Sequence, residues 1–302
     1  MSQPTRQTPA GRAYLDLQNR ARRERRGTQE LLTLYVVERW LARLSASPYA
    51  EDFVLKGGML LAAYDARRPT ADVDALARGL ANDQDAVVTR IAEIAGQSDE
   101  GDGVEFLAGT AVARPIREDA FYPGVRVAMD SRIATAVVRF RLDVNFGDPV
   151  TPAPQMIELP SLRPDTAAVR VLGYPIETVL AEKLATAIML GAANTRVRDY
   201  ADIYALTGRH DLAHDAVRAA LDATARFRGV EIVPLSSVID DLVELREQTY
   251  RAYRTALGVD GTELPSEFVE LVDAVTAFAD PLARATFESH WRAADRRWIA
   301  ST

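Results

Sequence analysis

The sequence predicts an α/β fold of the mixed α+β kind, a small mixed sheet followed by a helical C-terminal region, and three stretches carry that prediction. Phe53-Val54-Leu55 reads as a short buried strand that runs through Gly57-Gly58 into the apolar stretch Met59 to Tyr64, a strand–glycine–helix order. Val137 to Phe146 alternates, with Val138, Phe140, Leu142, Val144 and Phe146 on one face and Arg139, Arg141, Asp143 and Asn145 on the other. Beyond Arg196 nearly every segment has helical spacing, over 199–208, 212–228, 236–257, 266–279 and 281–299.

The remaining elements follow in order. Leu31, Leu34, Tyr35, Val37, Leu41 and Leu44 recur at near-helical spacing, which predicts a helix over Gln29–Leu44 ended by Ser47-Pro48. Arg67-Arg68-Pro69 predicts a turn and Ala71 to Leu76 an extended segment; Ala86 to Ala95 reads as a helix, Gly101-Asp102-Gly103 as a turn, and Val125 to Met129 as a strand. Asp148 to Asp165 holds five prolines and is expected to cross the surface without regular structure. Val169 to Leu172 then returns as a strand, and Pro175 starts a helix at a favoured first-turn position.

With 302 residues, 48% hydrophobic and 26% charged, the chain can bury a sizeable core as one large domain or two closely packed ones. The absence of cysteine excludes disulfides, zinc–thiolate clusters and a cysteine nucleophile. No signal-peptide core and no apolar run of membrane-spanning length is present, so a soluble, cytoplasmic protein is expected. The net charge of −7 argues against indiscriminate coating of nucleic acid, yet residues 1–27 carry seven arginines against only Asp16 and Glu24. That basic arm is either a solvated, partly disordered tail or an RNA contact.

Candidate chemistry centres on Asp72-Val73-Asp74. In an extended segment two carboxylates two residues apart project from one face, and hard oxygen ligands of this kind suit magnesium, which takes one or two protein carboxylates plus substrate phosphates. A lone D-x-D is more often a solvated strand edge. Gly57-Gly58 upstream raises the odds, because a backbone without Cβ lets a ligand approach; a tight strand-to-helix turn explains the glycines equally well. Asp143, on the polar face of its strand, is a third acidic candidate or an ion-paired structural residue beside Arg139 and Arg141. Lys183 lies in the middle of an apolar helical stripe of Ile176, Val179, Leu180, Leu184 and Ala187, so its ammonium either snorkels out or meets an anion such as a nucleotide phosphate. Asp199 and Asp202, three residues apart on the next helix, are dipole-complementing acids, or else Asp199 orients Lys183 or helps to bind nucleotide. The histidines His210, His214 and His290 form no H-E-x-x-H motif and are expected at the surface; no P-loop, dinucleotide fingerprint or nucleophile elbow occurs.

Taken in order, Arg43-Leu44-Ser45, Phe53 to Leu60, Arg68-Pro69-Thr70-Ala71-Asp72-Val73-Asp74, Leu142-Asp143-Val144, Glu182-Lys183-Leu184 and Arg198 to Ile203 resemble the AbiEii/AbiGii-type nucleotidyltransferase toxins, including the mycobacterial MenT group, over roughly 30–206. The resemblance implies a DNA-polymerase-β-like nucleotidyltransferase core over 28–175 after the basic arm 1–27. A helical region over 176–302 then contributes Lys183 and Asp199 to the active site. It implies a toxin paired with an antitoxin encoded by a neighbouring gene, transferring nucleotides from an NTP to the 3′ acceptor end of tRNA with Mg2+ so that charging and translation stop. Carried over by position, Asp72 and Asp74 are catalytic metal ligands with Asp143 as a further candidate, and Lys183 and Asp199 complete the catalytic set. Gly57, Gly58, Arg68, Thr70 and Asp202 bind nucleotide. The Thr70 hydroxyl corresponds to a place where an antitoxin kinase could silence some relatives, since a dianion two residues before Asp72 would compete for metal and repel triphosphate.

Two other readings stay open: a nucleotidyltransferase of the same fold that modifies a small molecule or a protein hydroxyl, and a non-catalytic module that binds RNA or a partner. The four residues Asp72, Asp74, Lys183 and Asp199, retained together, speak against the last.

Overall fold

The computed structural model describes residues 3–66, 68, 70, 72–97, 99, 101–116, 124–164, 166–284 and 288–300. Arg67 and Pro69 of the expected turn, Ala71 of the expected extended segment and Asp165 at the end of the proline-rich stretch lie outside these residues, as do residues 285–287. The chain forms two units, Met1–Ala63 with Pro69–Gly147 and Gln155–Gly173, and Tyr64–Arg68 with Asp148–Pro154 and Tyr174–Thr302.

The first unit opens with helices α1 (Pro9–Glu24) and α2 (Thr28–Ala46). The arginine-rich arm is therefore largely a packed helix. Thr8 caps it by accepting from the Gly11 N–H at 3.1 Å, Pro9 occupies the first turn, and Ala13, Leu17 and Ala21 bury an i, i+4 stripe. Burying Leu17 alone contributes about 2 kcal/mol, more than a solvated tail could recover from its charges. The sheet then builds from β1 (Phe53–Lys56), a single helical turn α3 (Gly57–Leu60), β2 (Val73–Ala77), helix α4 (Gln84–Ala95), β3 (Glu105–Ile116), β4 (Gly124–Ile133), β5 (Ala136–Phe146), β6 (Gln155–Leu159) and β7 (Val169–Gly173). Its order is β3-β4-β5-β2-β1-β7-β6, with β1 parallel to β7, β2 parallel to β5 and the remaining pairs antiparallel.

The face of β5 read from its alternation is the core face, with Val138, Phe140, Leu142 and Val144 fully buried, while Arg139 and Arg141 are exposed. Trp40 of α2 packs on Phe140 and Phe53, with ring centroids at 5.4 and 6.1 Å. Two strands escaped the periodicity. β3 is mostly exposed and carries a register shift between Leu107 and Val112, which blurs its alternation. β6 corrects the expectation of an irregular 148–165 stretch: Pro152, Pro154 and Pro160 flank it without entering it, so a five-residue edge strand with Ile157 and Leu159 buried pairs with β7.

The second unit holds α5 (Ile176–Leu190), with Pro175 at its N-cap, then α6 (Val197–Thr207), a short β8 (Leu212–Ala213), α7 (His214–Arg228), α8 (Leu242–Ala256) and α9 (Phe268–Ala279). The helix expected over 281–299 is absent from its described residues. A hairpin of β9 (Ser289–Arg292) and β10 (Arg297–Ala300) closes a three-stranded sheet in the order β10-β9-β8. Its cause is period two: Ser289 and Trp291 are buried while His290 and Arg292 are exposed. Trp298 stands opposite Trp291, and its ring stacks on Phe278 at 5.3 Å. Of the histidines expected at the surface, His214 is buried against Trp298 with Nε2 3.2 Å from the Pro281 carbonyl oxygen. His210 is half-buried with Nε2 3.0 Å from the Tyr64 carbonyl oxygen, and His290 is exposed.

Candidate active site

The Asp72-Val73-Asp74 segment enters the sheet between β1 and β5. Val73 is fully buried, as a residue behind two outward carboxylates must be. Asp74 stands in register with Lys56 on β1 and Asp143 on β5, and Asp72 sits at the bend just before the strand. Arg141 and Asp143 share one face of β5; Asp143 is the register partner of Asp74, and Arg141 Nη1 lies 3.7 Å from Asp72 Oδ1. Both carboxylates therefore belong to that face. Asp72 Oδ1 is buried and accepts no hydrogen bond among the described residues, the distance to Arg141 being too long for one. Thr70 Oγ1 donates to the Asp72 carbonyl oxygen at 3.2 Å and so fixes the backbone that carries this carboxylate.

Gly57 is a requirement of this arrangement. It adopts φ +68°, and a Cβ built on it would lie 2.0 Å from Asp74 Oδ2. The glycine thus makes room for the Asp74 carboxylate, a close approach of the kind expected of the Gly57-Gly58 pair but with a protein group as the occupant. The turn of helix that begins there is only four residues long and continues as a 3₁₀ turn, Leu61–Tyr64.

Asp143 is ion-paired, by Arg126 of β4 and not by the Arg139 or Arg141 of its own strand. Arg126 Nε and Nη2 donate to Oδ1 and Oδ2 at 2.7 and 2.6 Å, a bidentate fork that engages both oxygens. Arg139 pairs with Asp130 at 2.7 Å. The residues fit a divalent cation as far as two carboxylates can: one has a buried oxygen that accepts no hydrogen bond among the described residues and the other is braced on a bare α-carbon. Hard anionic oxygens in this number suit magnesium, whose other positions go to water and phosphate.

In the second unit Lys183, buried on α5, donates from Nζ to Asp199 Oδ1 and to Asp202 Oδ2, both at 2.8 Å, and Arg68 Nε donates to Asp202 Oδ1 at 2.8 Å. Burial presses the Lys183 ammonium towards neutrality, but the two carboxylates outweigh it and hold its pKa above the ordinary 10.5. Asp199 is pushed up by burial and pulled down further by Lys183, so it stands below its ordinary 3.8. The lysine in the apolar stripe thus neither snorkels nor waits bare; two acids one helical turn apart receive it. Beside the Arg68–Asp202 pair opens a cleft of about 440 Å³ lined by Arg68, Asp202, Tyr204, Tyr253, Arg209 and Arg296. Burial, with Asp202 adding to it, pushes the Tyr253 hydroxyl up to about 12.

Sequence patterning missed Arg126 and Tyr253, and set Arg141 beside Asp143 where its partner is Asp72. Arg126 becomes a neighbour of a carboxylate only through cross-strand register, and Tyr253 arrives from a helix some fifty residues beyond Asp202.

Against known proteins, the profile of the family described as nucleotidyl transferase AbiEii toxin, type IV TA system, matches residues 39–293. Among solved structures the chain is similar to MenT4, a nucleotidyltransferase toxin from Mycobacterium tuberculosis, at 17% identity and a TM-score of 0.50, over 90% of this chain and 99% of that one. It is also similar, at 14% identity and a TM-score of 0.43 over 83% of this chain and 98% of that one, to JHP933 from Helicobacter pylori. No sequence among curated proteins matches it. Likeness at such identity shows the fold alone, and MenT4 supports the nucleotidyltransferase fold expected from the sequence. The match over residues 39–293 settles the family: this chain belongs to the AbiEii nucleotidyltransferase toxins.

Proposed function

We propose that this nucleotidyltransferase moves a nucleotide from an NTP to the 3′ end of tRNA, in the cytoplasm where both substrates reside, and is held in check by a cognate antitoxin. The observation that carries the reading is the carboxylate pair, with Asp72 Oδ1 buried and accepting no hydrogen bond among the described residues and Asp74 seated on Gly57. Asp72 and Asp74 would hold magnesium, which supplies charge neutralisation at the phosphate oxygens. Asp143, gripped by Arg126, orients that arginine and joins the metal only if the fork opens.

The 3′ hydroxyl of the acceptor gives its proton to solvent water and bonds to the α-phosphorus, and the bond from that phosphorus to the bridging oxygen breaks to release pyrophosphate. Lys183, kept cationic by Asp199 and Asp202, braces Asp202, which in turn holds Arg68 within the second unit. Arg68 and Asp202 border the cleft of about 440 Å³, which we assign to the nucleoside. Gly58 completes the turn that positions Gly57.

The test incubates the protein and an Asp72→Ala control with total tRNA, magnesium and each radiolabelled NTP in turn, with chelator in a parallel arm, and resolves the RNA on a denaturing gel. Label on tRNA with the unmutated protein only, lost with chelator, is the expected result. Transfer that needs no RNA would instead favour a small-molecule or protein acceptor.

A further inference from the structure

The outer face of the β3-β4-β5 wing is lined with arginines that the chemistry above does not use. Register places Arg114 of β3 directly opposite Arg126 of β4, and Ala128 of β4 opposite both Val112 and Arg141, so Arg141 lies diagonal to Arg126. With Arg139, two residues further along β5, these side chains surround a shallow depression of about 220 Å³, lined among the described residues by Arg114, Arg126, Arg139, Arg141, Val112 and Ala128 and by no carboxylate.

Like charges directly opposite on neighbouring strands are destabilising, and an exposed sheet face has no packing reason to select four arginines. Asp143 and Asp130 neutralise two of them, Arg126 and Arg139. Arg141 pairs with Asp72 at 3.7 Å, the longest of the three ion pairs, and Arg114 makes none among the described residues. Among the described residues Arg114 therefore leaves positive charge uncompensated on this face of a chain whose net charge is −7. The side chains are open to solvent, Arg126, Arg139 and Arg141 being 41, 42 and 49% exposed. The row is also continuous with the carboxylates. Across β2, β5, β4 and β3 the register reads Asp74, Asp143, Arg126, Arg114, so the cationic track starts beside the carboxylate pair and runs to the sheet edge.

We infer that this face is the docking track for the sugar–phosphate backbone of the RNA acceptor, with Arg114 as its outermost phosphate contact. The occupant follows from charge complementarity: guanidinium groups spaced along adjacent strands suit a chain of phosphates better than a single anion, and the flat, open face suits a polynucleotide. The inference rests on the RNA-acceptor reading, which it extends from the acceptor end to the backbone behind it.

The test measures binding of fluorescein-labelled unfractionated tRNA by anisotropy across a salt series, without NTP. It compares the full chain with Arg114→Glu, with Arg114→Lys, and with Arg297→Glu on the hairpin of the second unit, which makes the same change in net charge. Thermal melts establish that each variant is folded. The expected result is that Arg114→Glu weakens binding on the order of tenfold and flattens the dependence of log K on log salt by about one, while Arg114→Lys and Arg297→Glu leave both near the unmutated values. Equal losses in Arg114→Glu and Arg297→Glu would overturn the track and leave the acceptor reading standing. Arg114-dependent binding without label transfer would keep the track and remove the transfer reading. A full chain that binds no tRNA would overturn both.

Discussion

Asp74 rests its carboxylate against the bare α-carbon of Gly57, so closely that a methyl group there would sit 2.0 Å from Oδ2. Gly57→Ala must therefore push Asp74 aside, in addition to the strain of roughly 1–2 kcal/mol that an alanine meets at positive φ. Gly79 gives the matched comparison, since it has nearly the same φ, +69°, and nothing within 4 Å of its added Cβ. Label transfer, measured below the melting temperature of both variants, is expected to fall more than about tenfold in Gly57→Ala and to stay near normal in Gly79→Ala. Equal activities would separate Asp74 from the chemistry.

Asp72 tests the orphaned oxygen. Because Oδ1 accepts no hydrogen bond among the described residues, Asp72→Asn removes charge without breaking one there. Stability in chemical denaturation should hold within about 0.5 kcal/mol. Transfer should fall by more than about a hundredfold, since even the residues behind a metal ligand cost 10–100-fold. An active Asp72→Asn would remove the metal assignment.

How legible this site was depended on what holds each part of it. The carboxylate pair and its glycines are local in sequence, and period two alone gives them a shared face. Lys183 declared itself as a charge in an apolar stripe with Asp199 as a candidate partner, whereas Asp202 joins it only in the folded structure. Arg126, by contrast, reaches Asp143 through the register of β4 on β5, which no local pattern encodes. In the fold the same division holds. α2, β1 and β5 carry strong periodicity, whereas β6 is five residues between prolines and its identity comes from β7 beside it. The β9–β10 hairpin was misread because its apolar residues also fall at spacings that a helix allows, and only the facing tryptophans decide for strands.

Lys183 and Asp199 set a pH window for stability. The Asp199 pKa is lowered on folding, so its contribution is present above about 3.8, the ordinary value, and is lost as pH falls through the folded value. The Lys183 pKa is raised, so its contribution is full below about 10.5 and is lost as pH rises through the folded value. Lys183→Met leaves Asp199 without this partner and is expected to cost about 3–5 kcal/mol at neutral pH. Melting followed from pH 3 to 11 should show the variant losing least at the acid end, where protonation of Asp199 relieves the buried charge. A uniform loss at every pH would assign the lysine to packing alone.

Trp291 tests the hairpin. It is fully buried, stands opposite Trp298, and donates from Nε1 to the Thr207 carbonyl oxygen at 2.7 Å. Trp291→Ala is expected to lower stability by about 3–5 kcal/mol in chemical denaturation. A loss below about 1 kcal/mol would mean that the hairpin frays without consequence for the helices.

The strand order of the sheet also sets a schedule. β2, which carries Asp74, finds its neighbour β5 roughly seventy residues further along the chain, an interval of several seconds at about 5–20 residues per second of synthesis. The parallel pair cannot form until residues 142–146 have left the ribosome, and the partner of β1, β7, emerges later still. A nascent copy therefore lacks the Asp74–Asp143 register pair until about half of the chain has been made.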